Sequence, residues 1–404
     1  MFISTIFRKL RAVNRSDPRL LDLMTLYLAV KVAFIALALL GHEFLPFNWT
    51  LYHANLVFDL QGQVFDLQGL PELFRPFNTW DTQHYLLLAQ RGYGADPSSD
   101  AFYPLYPYLI KLLTPVFFNK GLIAAWFIAN FFSLLVSLYM YKLACLFYSK
   151  EQAFRATVLL LAFPTAFFMS VAYSEAIYLS LCLMAFYYLF KRDIPKSCLF
   201  CFLPPLARVQ GLLLVVPVGV LFFQDVMRKG DNFGANVTRA ARTYLLPLLA
   251  TVLGAFAYFA ICRWQLGGFF EGLNSQNGFV AQNSLSNIFS PYRWFLNNFV
   301  DIHLHLHDYT TSAIDRAAFL VCAPILVGIY RTQNKALFAY AAVSLLVPAL
   351  AGSFMSYTRF VLMAFPIFLF VGAYFKKSEY YLAVPMFAVQ VFLYLLHTGG
   401  YWVA

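Results

Sequence analysis

Nearly uncharged runs of about 15 to 30 residues recur from one end of this chain to the other, and that recurrence restricts the fold more than any other feature. A helix needs about 20 apolar residues to cross the hydrocarbon core. The chain therefore reads as an all-α polytopic membrane protein with about ten or eleven transmembrane helices. Composition agrees, since 61% of the 404 residues are hydrophobic and 12% are charged, where a soluble domain carries roughly a quarter charged residues. Residues 1–404 read as one integral-membrane domain, with no stretch left over for a soluble one.

The net charge of +10 is dispersed among short loops and one tail, a topogenic pattern and not a nucleic-acid footprint. Arg8, Lys9, Arg11, Arg15 and Arg19 place a retained tail, residues 1–23, in the cytoplasm. Residues 42–104 then form a first outer loop, rich in acids, with Arg75 and Arg91 as its bases. Within it VFDLQG occurs twice, at Val57–Gly62 and Val64–Gly69, which predicts short amphipathic helices on the membrane surface. Leu105–Phe118 holds Lys111, Pro107 and Pro115, so it rests in the interface and does not cross. Gly121–Tyr148, Ala156–Val171 and Ala176–Phe190 cross in turn. Cys198–Val226 must begin and end inside, and Pro204-Pro205 supplies the break that this requires, with Arg208 in the cavity beside it. Residues 265–312 form a second outer loop, and four crossings between Ala317 and Leu396 close the chain. The six cysteines lie in or beside apolar segments and imply no disulfide framework.

Under this topology four polar features meet on the outer face: Asp81 with His84, Tyr173-Ser174-Glu175, Arg208, and Tyr357-Thr358-Arg359. An ionisable residue at membrane depth is expensive to keep, so it marks a functional site. The blander alternatives are a snorkelling Arg359 and an Asp81 that merely caps a helix. Transfer from an anionic lipid-linked donor would use the whole set. Asp81 would be the catalytic base toward an acceptor hydroxyl. Arg208, Arg359 and His84 would hold the departing phosphate, with Glu175, Tyr173 and Trp80 around the substrate. The aromatics Trp80, Tyr85, Tyr93, Phe102, Tyr103 and Tyr106 fit either a sugar platform or an interfacial belt. His303, His305 and His307 alternate as metal ligands on a strand would, but a loop skimming the membrane alternates in the same way, and no metal or other cofactor is expected.

Three segments carry a family resemblance. Trp80-Asp81, then H-Y-x-x-x-A-x-x-G-Y at His84–Tyr93, then AFYPLYP at Ala101–Pro107 stand in an order that resembles the PIG-V-type mannosyltransferases. FPTAFFMSVAYSEAIYLSL at Phe163–Leu181 and AR-x-x-G at Ala207–Gly211 extend the match, and Arg359-Phe360 with Pro366 matches more loosely. The resemblance implies a GT-C architecture and an inverting glycosyltransferase whose catalytic acid in the first outer loop maps onto Asp81. It further implies a polyprenyl- or dolichyl-phosphate-linked mannose or similar hexose as donor, and a glycolipid or glycan as acceptor. The active site would face the periplasm from a bacterial inner membrane, or the lumen from an endoplasmic reticulum membrane in a eukaryote. The alternative is a lipid or solute transporter, which commonly has breaks at matching positions in two halves. Only the break near Pro204 is visible in the sequence.

Overall fold

The computed structural model describes residues 17–62, 67, 69–229, 232–278 and 285–403. Arg8, Lys9, Arg11, Arg15 and most of the second VFDLQG copy lie outside the described residues. Among those described the chain is helical, and no strand forms.

Helix α1 (Pro18–Phe44) starts where it does because the Asp17 side chain accepts from Leu20 N and Pro18 occupies the first turn. Its outward face is apolar, with Leu28, Val32 and Leu40 more than half exposed, a surface that lipid covers and water would not. Short helices follow: one at Trp49–Ala54, α2 (Asp81–Arg91), most of it buried, and α3 (Leu105–Leu113). Val57–Gly62 is not one of the expected amphipathic helices. It is a turn, closed by Gly62 N–H on Asp59 O at 2.8 Å and opened to a φ of 77° by Gly62. Leu105–Phe117 is indeed too short to cross, at about 20 Å of helix.

The interior is built on α4 (Gly121–Ala144), α5 (Lys150–Ala162) and α6 (Glu175–Lys191). Helix α6 is buried along almost its whole length and packs on α4. The expected crossing Ala156–Val171 is shorter than its apolarity implied. Helix α5 stops at Ala162 because Pro164 lacks an N–H and forces Phe163 into extended geometry, ψ 139°. Residues 163–174 then run as irregular backbone through the core, tolerated there because protein and not lipid surrounds it.

Helix α7 (Ile194–Phe202) leads into the break at Pro204–Ala207, after which Arg208 is fully extended (φ −159°, ψ 151°). A tight turn, Val209–Leu214, then folds back and α8 (Val215–Val226) follows. Gly211 permits that fold: a Cβ there would sit 2.2 Å from backbone atoms of Pro204 and Pro205. Phe233–Ala240 passes through a π turn into α9 (Leu246–Leu266). The last helices are α10 (Ala313–Thr332), α11 (Lys335–Ala351), α12 (Tyr357–Met363), α13 (Pro366–Tyr374) and α14 (Ala383–Thr398).

Among the described residues six stretches are each long and apolar enough to cross a membrane, and the pair α12 and α13, bent by 69°, makes a seventh if taken as one span. This is a multi-pass membrane protein. The other segments in the expected ten or eleven exist as shorter helices, α5, α6, α7 and α11, held within the bundle.

Candidate active site

Asp81 is the first residue of α2, and its direction is set by strained backbone just before it. Trp80 has φ 53° and ψ −126°, a region that favours glycine, at a cost of about 1–3 kcal/mol. The buried Tyr173 hydroxyl holds that turn. It accepts from Asp81 N–H at 3.2 Å and reaches Thr79 O at 3.5 Å.

Four charges from four parts of the chain meet here. Arg359 Nη2 donates to Asp81 Oδ2 at 3.0 Å, and Arg359 Nε donates to Glu175 Oε1 at 2.9 Å. Arg359 Nη2 also contacts Glu175 Oε1. Arg208 Nη1 reaches the same Glu175 oxygen at 2.8 Å and Ser174 Oγ at 3.2 Å. Ser174 Oγ in turn accepts from the Tyr85 hydroxyl at 2.7 Å. The Arg359 guanidinium lies over the rings of Phe168 and Tyr173, 4.4 and 5.3 Å from their centroids. Two acids and two bases cancel, and exposure divides the acids: the Glu175 side chain is 0% exposed and that of Asp81 is 29% exposed. Glu175 is thus the inner counter-ion that fixes both guanidiniums, and Asp81 is the carboxylate that solvent and a ligand can reach.

His84 leaves this group. Although three residues from Asp81 on α2, its Nδ1 pairs with Ser99 Oγ at 2.7 Å, with Asp96 Oδ2 at 3.8 Å, and its ring stacks on Phe102 at 4.7 Å. Burial holds the imidazole below the usual histidine range, against the pull of Asp81 and Asp96. Near neutral pH it adds no positive charge to the four. Of the six aromatics, Tyr85, Tyr103 and Tyr106 are buried in the protein, with Tyr85 edge-on to Phe102 and Tyr106, and Tyr103 stacked on Tyr258 at 4.2 Å, while Trp80, Tyr93 and Phe102 are half-buried. Among the described residues no group of three metal-ligating side chains occurs. His305 Nδ1 turns to Thr311 Oγ1 at 3.0 Å, and His307 stacks on Trp402.

Three polar contributors are not picked out by the sequence pattern. Lys31, inside α1, donates to Ser170 Oγ at 2.6 Å and to Met169 O at 3.1 Å, in the irregular segment that ends at Glu175. His397 on α14 meets Thr79 Oγ1 at 3.2 Å, bracing the turn before Asp81. Asp315 at the start of α10 accepts from Thr358 N–H at 2.9 Å, tying α10 to the helix that carries Arg359. A lysine inside an uncharged run is itself the signal for Lys31. The other two become visible only in three dimensions.

No family model matches the sequence, and no curated protein does. Among solved structures, the chain is similar to the Archaeoglobus fulgidus oligosaccharyltransferase in its apo form, at 14% identity and a TM-score of 0.47, covering 93% of this chain and 56% of that one. It is similar also to the same archaeal enzyme in complex with an inhibitory peptide and a dolichol-phosphate, at 14% identity and a TM-score of 0.46, covering 92% and 56%. The chain spans about half the length of the structures it resembles. At that level of likeness, the chemistry has to be argued from the site's own residues.

Proposed function

We propose that this protein is an inverting membrane glycosyltransferase. It moves a hexose from a polyprenyl or dolichyl phosphate to a hydroxyl of a lipid-linked or glycan acceptor on the non-cytoplasmic face. The observation that carries the reading is Asp81 itself, a partly exposed carboxylate held 3.0 Å from a guanidinium whose other contacts are fixed by a buried glutamate. Mannose is the hexose that the PIG-V-type resemblance supports, and the order of motifs from Trp80 to Pro107 supports the same role for Asp81.

The chemistry follows from the charges. A donor phosphate competes with Asp81 for Arg359 Nη2, because a guanidinium fork suits phosphate oxygens at least as well as a carboxylate. Arg208, 19% exposed, stands beside it. Asp81, released, accepts the proton of the acceptor hydroxyl as that oxygen attacks the anomeric carbon from the face opposite the phosphate. The new C–O bond forms, the sugar–phosphate C–O bond breaks, and its electron pair leaves on the lipid phosphate, facing Arg359 and Arg208. Glu175 keeps both arginines in place throughout.

The test is reconstitution of the purified chain with polyprenyl-phosphate mannose and lipid acceptors, comparing wild type with Asp81→Asn. Wild type consumes donor, and the variant loses at least about a hundredfold of that rate, as removal of a general base does. Equal consumption by both sinks the role of Asp81; no consumption by either sinks the enzyme.

One observation favours the transporter reading. The bend between α12 and α13 is a second break, in the other half of the chain; Arg208 directly follows the first break, and Arg359 lies on the short helix that leads into the second. Paired breaks around a central site are a transporter trait. Movement of a fluorescent polyprenyl phosphate across the same vesicles without sugar transfer would decide for it.

A further inference from the structure

We propose a second binding site in the outer segment between α9 and α10, a polar cavity that takes the anionic, hydroxyl-rich head group of a phosphorylated saccharide, the acceptor end of the reaction. That the occupant is the acceptor rests on the glycosyltransferase reading; that a phosphorylated saccharide binds does not.

The cavity holds about 560 Å³, inside the range of about 300–1,000 Å³ usual for small-molecule sites. Its lining includes Asn287, Arg293, Asn297, Asn298, Arg316 and Ser353, and no carboxylate side chain. Two arginines and no acid lie on the wall itself, and Asp308 stands behind it, accepting from the lining residue Thr311 Oγ1 at 2.6 Å. Arg316 is buried, and its guanidinium donates to Asn298 O at 2.7 Å, Ser312 O at 2.8 Å, Thr310 O at 2.9 Å and Asn298 Oδ1 at 3.1 Å, all neutral acceptors. Its sequence neighbour Asp315, which accepts from Thr358 N–H, makes no hydrogen bond to it but partly balances its charge from behind the wall. Arg293 is exposed on the rim, and among the described residues its guanidinium makes no hydrogen bond or ion pair. Ser353 contributes to the wall, and its Oγ is shielded from solvent with no hydrogen-bond partner among the described residues.

The ligand class follows from these groups. Amides and hydroxyls both donate and accept, as sugar hydroxyls require, and guanidinium forks match phosphate oxygens. Asn297 and Asn298 sit on a π-helical turn, Leu296–Val300, an irregularity frequent at functional sites. Trp294 makes a rigid wall, its indole N–H fixed to Ala349 O at 2.7 Å. The cavity wall is joined to the first site along the chain. Ser353 leads through Phe354 and Ser356, at φ 62° and 57°, directly into the helix that carries Arg359.

Titration of the purified full chain in detergent, followed by saturation-transfer NMR, tests this with three soluble probes: a hexose 6-phosphate, the free hexose and inorganic phosphate. The expected result is saturable binding of the hexose phosphate, with each of the other two weaker by about tenfold or more. Arg293→Ala, at an exposed position, weakens it by about tenfold with an unchanged melting temperature, and Ser353→Val, which fills the cavity from the opposite wall, does the same. Equal affinity for inorganic phosphate, absence of saturable binding, or wild-type binding by both variants overturns the proposal. Asp81→Asn leaves this binding intact. Loss of binding while sugar transfer persists therefore overturns this site alone, and binding without transfer in the wild type overturns the glycosyltransferase reading alone.

Discussion

Glu175 sits fully buried between two guanidiniums, and removing one partner of such an arrangement strands the others. Glu175→Gln keeps the shape and deletes the charge, so Arg208 loses its carboxylate and Arg359 retains only Asp81. The expected loss is about 3–5 kcal/mol of stability, read as a lower denaturant midpoint in detergent. A change below about 1 kcal/mol would mean that the pairs behave as solvated surface bridges. At this scale the sequence was informative about identity and silent about partnership. Asp81, Glu175, Arg208 and Arg359 stood out because each is charged next to apolar runs. The departure of His84 could not be read, because helical spacing puts it on the Asp81 face while its partners, Asp96 and Ser99, come from the following loop. Lys31 escaped because 26 other residues of α1 outweigh one ammonium in any average of hydropathy.

Elements were legible where apolarity ran unbroken and less so where it continued past the end of a helix. Residues 163–174 are as apolar as a span, yet Pro164 turns them into the irregular shell that carries Phe168, Tyr173 and Ser174 to the site. The break after Pro204 was legible because two prolines announce it, and what closes it is Gly211. Gly211→Ala therefore has to push backbone apart, displacing Arg208 and lowering stability by about 1–3 kcal/mol. Gly219→Ala, in α8 with open space around it, is the matched control and gains about 0.5–1 kcal/mol from helix propensity. Thermal unfolding of the two variants side by side checks both signs. A loss at Gly219 equal to that at Gly211 would show that any added methyl is harmful and that the close approach at Pro204 is not the cause.

For the molecule as a whole, the question is which side the two loops face. They touch: Gly272 of the second lies so close to the first that a Cβ on it would meet Asp100 O at 3.2 Å, and Tyr93 N–H of the first reaches Gln265 Oε1 at the end of α9 at 3.4 Å. They therefore share one side, and the positive-inside rule predicts that the basic turns at Lys196 and Lys229 lie on the other. Cysteines placed at the exposed positions Gln61 and Asn274 should react with a membrane-impermeant maleimide on intact cells, while those at Lys196 and Lys229 should react only after permeabilisation. Labelling of Gln61→Cys and Asn274→Cys from opposite sides would break the shared face. The spacing of the four charges along the chain has one more consequence, for biosynthesis. Arg208 follows Glu175 closely, but Arg359 is 184 residues beyond Glu175 and 278 beyond Asp81. As the chain emerges from the ribosome, Glu175 can be neutralised early by Arg208, so the first helices can enter the bilayer without a bare carboxylate at depth. Asp81 must wait for the segment that carries Arg359, and a nascent chain that has not yet reached that segment has no assembled centre of four charges.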